Sequence, residues 1–200
     1  MPLCLYLIRH GETPWSLSGR HTGRTDMALT AQGEAQARLL AQRLRGIPFA
    51  RTLSSPLRRA QQTCRLAGLG NSEEIEPELA EWDYGAYEGL RSLEIRAKRP
   101  GWNLYSDGCP GGEAPAQVSE RADQLIVRLR PLEGNVALFS HGHFGAALAA
   151  RWIGLPVARA QHFPLATASI SILGYKPDRS DVAVIVLWNA VVPADAGPSA

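Results

Sequence analysis

The chain predicts an α/β fold, a three-layer α/β/α arrangement around a mostly parallel central sheet, and three observations carry that prediction. Two short apolar runs, Leu5 to Ile8 and Val136 to Phe139, each lead into a histidine followed by glycine, His10-Gly11 and His141-Gly142. Runs of this length bounded by turn residues read as strands buried on both faces. Stretches with apolar residues at helical spacing separate and follow them, the alternation that builds βαβ units. With 200 residues, 45% of them apolar, the chain can bury a full core. The expectation is one domain over 1–192, with 80–112 as a lid-like insertion and 193–200 as a flexible tail of small and polar residues.

Leu3 to Ile8 reads as the first strand, followed by a polar loop through Asp26 and a helix from Ala31 to Leu44 with Thr30 as its N-cap. Gly46-Ile47-Pro48 ends that helix, Arg51 to Ser54 forms a short second strand, and Pro56 opens a helix carrying Leu57, Ala60, Cys64 and Ala67 on one face. A right-handed crossover brings the ends of these two strands near one another. From Glu73 to Gly112 periodicity fades into a stretch rich in glycine and aromatic residues, the pattern of a functional loop. Helix returns from Glu113 to Leu132 and from Gly145 to Trp152, flanking the strand before His141. Thr167 to Leu173 and Val182 to Leu187 close the fold as strands, the second at an edge.

The net charge of +2 is nearly balanced and the basic residues are scattered, so no nucleic-acid face is expected. Lys98 and Lys176 are the only lysines; the other basic residues are arginines, suited to bidentate binding of phosphate or carboxylate. Cys4, Cys64 and Cys109 form no Cys-x-x-Cys, which argues against a disulfide framework or zinc ribbon and for a cytoplasmic home. The apolar start lacks the basic region and cleavage site of a signal peptide, and no run reaches the roughly 20 residues of a membrane span.

Two strands that end in histidine at the carboxyl edge of one sheet can face two imidazoles across a single pocket. Arg9 sets a cation beside His10, and a histidine whose Nδ1 proton is held by a carbonyl keeps Nε2 as a neutral nucleophile. Arg58 and Arg59 occupy the first turn of a helix, where free N–H groups, the helix dipole and a guanidinium all favour an anion. A rival reading gathers His10, His141, His143, Asp107 and Cys109 around a metal, against which stands the repulsion of a cation by the neighbouring arginines.

Several motifs carry a family likeness. Leu7-Ile8-Arg9-His10-Gly11-Glu12-Thr13 with Trp15, Thr22-Gly23, Leu29-Thr30 with Gly33, Ser54-Ser55-Pro56-Leu57 with Arg59-Ala60 and Thr63, Leu79 with Glu81, Tyr84-Gly85, Glu88-Gly89 and Ser140-His141-Gly142 occur in this order. The chain resembles the histidine phosphatase superfamily, also called phosphoglycerate mutase-like, and within it the small phosphatases related to sedoheptulose-1,7-bisphosphatase and to bacterial acid phosphatases. The resemblance implies that His10 takes the phosphoryl group, that Arg9, Arg59 and His141 surround its oxygens, and that Glu81 is the general acid and then the base. It further implies a hydrogen bond from the Gly142 N–H. Ser16, His21, Thr22, Gly23, Tyr84 and the Trp102 to Cys109 loop are expected on the leaving-group side. No cofactor and no metal are required, and the partner is a small phosphorylated substrate, sugar phosphates or bisphosphates being the leading candidates. Two alternatives stand beside this: a phosphoglycerate mutase-type phosphotransferase, disfavoured by the short Leu90 to Gly112 segment and by Ser16, and a non-catalytic phosphate-binding regulatory module. Oligomeric state is left open, with a homodimer through the late edge strand as one arrangement.

Overall fold

A computed structural model describes residues 2–191. The tail expected over 193–200 lies outside the described residues. In chain order the elements are β1 (Cys4–Arg9), α1 (Pro14–Ser18), α2 (Ala31–Leu44), β2 (Phe49–Ser54), α3 (Arg58–Leu66), β3 (Glu73–Ile75), α4 (Ser92–Lys98), α5 (Leu104–Asp107), α6 (Pro115–Leu129), β4 (Asn135–Ser140), α7 (Gly142–Trp152), β5 (Ile170–Lys176) and β6 (Arg179–Ala190). The sheet runs β3-β2-β4-β1-β5-β6. Its first four strands pair in parallel, and β5 and β6 add antiparallel. Helices flank this mixed sheet, so the fold is the three-layer α/β architecture expected from the sequence.

Side chains on a strand alternate between faces, and here the alternation splits the core in two. Leu5 and Leu7 of β1 with Val136 and Leu138 of β4 pack with Val118, Ala122, Leu125 and Ile126 of α6 and with α7. Ile8 with Ala137 and Phe139 face Leu40 and Leu44 of α2 and Ala60 and Cys64 of α3. Both central strands are therefore apolar on both sides, which is why they appear as continuous runs in the sequence.

Several boundaries differ from the sequence expectation. The loop before Asp26 contains α1, started by Thr13, whose Oγ1 accepts the N–H of Ser16. Helix α3 begins at Arg58 rather than Pro56, because Leu57 is still extended and its N–H is held by the Ser55 hydroxyl. Strand β3 is short and carries Glu73 and Glu74, so no apolar signal marked it. The 80–112 stretch contains α4 and α5, and its Trp82, Tyr84, Ile95, Trp102 and Leu104 are buried in the α6 side of the core. β6 is an edge strand, as expected for Val182 to Leu187, and β3 forms the other edge.

Strand β4 enters between β1 and β2, so β1 and β2 are near but not paired. The register sets Arg9 opposite Ser140 and Ser54 opposite Phe139. His10, Ser55 and His141 consequently leave the sheet together at the carboxyl edge of adjacent strands. The loop after β1 is fixed by two backbones in contact, since a Cβ on Gly33 of α2 would lie 2.1 Å from the Glu12 carbonyl oxygen. Gly33→Ala is expected to lower the unfolding free energy by about 1–3 kcal/mol through this overlap, read from urea denaturation.

Candidate active site

The Gly11 to Thr13 turn is tied to both helices of one face. The Gly11 N–H donates to Thr63 Oγ1 at 3.0 Å, and the Thr30 hydroxyl donates to Glu12 Oε1 at 2.7 Å while also accepting the Gly33 N–H that caps α2. Within this frame His10 Nδ1 lies 2.7 Å from the Gly11 carbonyl oxygen. That contact requires the proton on Nδ1 and leaves the Nε2 lone pair free. Burial first, then the charges of Arg59 and Arg9, hold the His10 pKa well below its ordinary value, so the ring is neutral.

Arg59 is completely buried. Its Nη2 donates to the carbonyls of Thr22 and Gly23 at 2.9 and 3.0 Å, its Nη1 to that of Thr25 at 3.0 Å, and its Nε to His141 Nδ1 at 3.2 Å. The same loop is held from the other side by Glu88, whose carboxylate accepts the N–H groups of Gly23 and Thr25. Arg9 donates from Nη1 to the Leu165 carbonyl, while its Nε is buried without a partner. Neither Arg9 nor Arg59 is in an ion pair among the described residues.

His141 caps β4, 5.2 Å from His10 between ring centroids. With Nδ1 accepting from Arg59, its Nε2–H donates to Ser55 Oγ at 2.7 Å. It too is kept neutral, by burial and then by Arg59. Glu81 lies at the start of α7, where the His143 and Phe144 N–H groups donate to it at 3.1 and 2.7 Å and its own neighbour Trp82 donates at 2.9 Å. Burial alone would raise its pKa, but the neighbouring His143 side chain and these three N–H groups together hold it below the ordinary glutamate value. The N–H of Gly142 is the first of the helix and has no intrahelical acceptor.

A cavity of about 430 Å³ opens onto this constellation. Arg9, His10, Glu81 and Gly142 line its inner end, and Ser16, His21, Thr22 and Tyr84 line it as well. Arg59 and His141 are not on the wall but buried against it. Gly23 is not on this wall; its N–H is committed to Glu88 and its carbonyl to Arg59, and with Glu81 it lines a second cavity of about 350 Å³. The Trp102 to Cys109 loop divides, with Tyr105 on the cavity wall and Trp102 and Cys109 in the core. The Arg58 half of the arginine pair is exposed, and the anion at its N–H is the Asp26 carboxylate at 2.7 Å.

His143, Arg20, Ser92, Gln161 and Phe163 also line the cavity and were not assigned to it from sequence. The repeated imidazole in Ser140-His141-Gly142-His143 was the available signal for His143; the others come from polar segments without a motif. Among the described residues no group of three or more His, Cys, Asp or Glu side chains is arranged to hold a metal. The rival cluster is dispersed, with Asp107 bound to Arg99 and the Asn103 N–H and Cys109 in the apolar core. No helix among the described residues is long and apolar enough to cross a membrane.

The family model described as "Histidine phosphatase superfamily (branch 1)" matches residues 5–190. The chain belongs to the histidine phosphatase superfamily. It is a phosphatase of small phosphorylated substrates. It is 44% identical over 197 residues to an acid phosphatase of Mycobacterium tuberculosis, covering 96% of this chain and 97% of the relative. It is 35% identical over 191 residues to sedoheptulose 1,7-bisphosphatase of Saccharomyces cerevisiae, covering 79% and 70%. A solved structure of an open reading frame product of Mycobacterium tuberculosis superposes with a TM-score of 0.89 at 41% identity, covering 94% of this chain and 97% of that one.

Arg59→Lys keeps a charge but cannot reach three carbonyls and an imidazole at once. We expect it to cut kcat/KM by about 10²-fold or more and to lower unfolding free energy by about 1–3 kcal/mol through the carbonyls left unpaired, measured by turnover and urea denaturation.

Proposed function

We propose that this histidine phosphatase hydrolyses small phosphomonoesters, sugar phosphates or bisphosphates among them, without a metal and through a phosphohistidine on His10. The observation that carries the reading is two guanidinium groups at the inner site, Arg59 fully buried and Arg9 half-buried on the cavity wall beside the neutral His10 imidazole, with no carboxylate in an ion pair with either among the described residues. Cations withdrawn from water without an ion-pair partner are costly; the Glu81 carboxylate offsets part of the two charges from a distance, and a phosphoryl group supplies the rest. Phosphoryl transfer spreads negative charge over three oxygens, so preorganised cations and N–H groups, the Gly142 N–H included, do most of the catalytic work.

In the first half-reaction His10 Nε2 forms the bond to phosphorus as the ester P–O bond breaks, and Glu81 gives its proton to the leaving alkoxide. In the second, Glu81 takes a proton from water, whose oxygen displaces phosphate from His10. His141 orients Arg59, and it reaches a phosphoryl oxygen itself once its Nε2–H exchanges Ser55 for that oxygen. Ser16, His21, Thr22 and Tyr84 form the leaving-group side.

The protonation states give the pH dependence a sign. Glu81 is ionised in the free enzyme at neutral pH, so the proton needed for the first step arrives with the substrate monoanion, or binds Glu81 beside the dianion. Phosphate monoesters lose their second proton near pH 6. We therefore expect kcat/KM to decline above about pH 6, with an acidic to neutral optimum; a rate still rising above pH 9 would contradict the role of Glu81.

His10→Ala is expected to reduce phosphate release by about 10³-fold or more, and rapid acid-free quenching of the wild type with ³²P-labelled substrate should trap label on the protein. Release in excess chelator should equal release without it. Activity abolished by chelator and restored by zinc would overturn the metal-independent reading, and interconversion of phosphoglycerates without phosphate release would make the protein a mutase.

A further inference from the structure

We propose that the Tyr84–His143 pair sets specificity on the leaving-group side, His143 presenting its Nε2–H to a hydroxyl of the departing alcohol and Tyr84 acting as the positioning residue behind it. The proposal rests on the phosphatase reading of the same site and extends it to the class of alcohol released.

The Tyr84 hydroxyl lies 2.5 Å from His143 Nδ1. The Tyr84 side chain is buried and its hydroxyl, kept protonated by burial and then by the charge of Glu81, has no acceptor but Nδ1 among the described residues, so satisfying that buried O–H requires it to donate and Nδ1 to accept. Burial likewise keeps the His143 imidazole neutral, against the opposing effect of Glu81. A neutral ring that accepts at Nδ1 carries its proton on Nε2. That nitrogen has no partner among the described residues, it is not among the buried unpaired atoms, and His143 lines the cavity. It is thus an uncommitted donor facing the space the leaving group must fill.

The ring is held in place on several sides. Its centroid lies 5.5 Å from that of His21 and 5.7 Å from those of Tyr84 and Tyr105. Its own backbone N–H donates to Glu81, so the imidazole sits one residue's reach from the acid that protonates the leaving oxygen. The Tyr105 hydroxyl, also on the wall and also without a partner among the described residues, adds a second neutral donor and acceptor beside it. A wall of this kind binds an alcohol that carries further hydroxyls and gains nothing from an alkyl group of the same shape. Leaving these polar groups unpaired beside an alkyl group is what discriminates against it.

The test uses glycerol 2-phosphate and isopropyl phosphate, which share a carbon skeleton and differ only in hydroxyls, with p-nitrophenyl phosphate as the control for an intact phosphoryl site. Wild-type enzyme should prefer glycerol 2-phosphate in kcat/KM. Tyr84→Phe and His143→Leu should each lower the ratio of kcat/KM for glycerol 2-phosphate to that for isopropyl phosphate by about fivefold to tenfold, over and above any loss that all three substrates share. His143→Gln, which retains an N–H donor on a side chain of similar reach, should keep most of the preference. Equal losses on all three substrates, or no wild-type preference between the matched pair, would overturn the proposal. Absence of phosphate release from p-nitrophenyl phosphate by the wild type would instead bring down the phosphatase reading, and this proposal with it.

Discussion

The burial of the Arg59 guanidinium without a carboxylate is the constraint on which the site depends. A charge removed from water must have its N–H groups satisfied, and here three backbone carbonyls and one imidazole do so. Those acceptors dictate the course of the Thr22 to Thr25 loop, which Glu88 then fixes from the opposite side through its N–H groups. They also dictate the tautomer of His141, because a ring accepting at Nδ1 must carry its proton on Nε2. Carbonyl dipoles satisfy the hydrogen bonds but not the net charge, so an excess of positive potential remains beside His10. An anion of phosphoryl shape answers that excess.

The sheet register turns this local constraint into a site. Parallel pairing of β1 and β2 with β4 aligns three carboxyl ends, so His10, Ser55 and His141 emerge side by side. Helix α7 begins immediately after His141, and the N–H groups of its second and third residues, His143 and Phe144, meet Glu81. The helix dipole and these hydrogen bonds stabilise the ionised carboxylate. In the phosphatase reading proposed above, Glu81 therefore turns donor only with negative charge or a proton that the substrate brings.

Much of this was legible in the sequence because its cause was local. The two apolar runs are continuous because β1 and β4 are covered on both faces. Thr30 marked the start of α2 through its own side-chain cap, and Glu12, Gly33 and Thr63 belong to motifs whose hydrogen bonds and close backbone approach hold the turn after β1. Strand β3 was not legible, since an edge strand carrying glutamates has no apolar pattern. The start of α3 was misplaced by two residues because the Ser55 hydroxyl, not the proline, decides where Leu57 stops being extended. Gly23 carried a motif signal that pointed to substrate, whereas both of its backbone groups serve the loop around Arg59.

The sequence by itself determined the strands that lead into histidine and the arginine pair on a helix's first turn, because each depends on residue type and short spacing, whereas Glu81 was pointed to only through the family resemblance. Only the tertiary structure decided that Arg59 has no ion-pair partner among the described residues, that His141 is spent on Arg59 and Ser55, and that His143 lines the cavity with Tyr84 at its Nδ1. These are matters of which groups far apart in the chain meet within hydrogen-bond distance. They are set by the register of β4 between β1 and β2 and by the packing of the Tyr84 segment onto α7, and no local pattern encodes them.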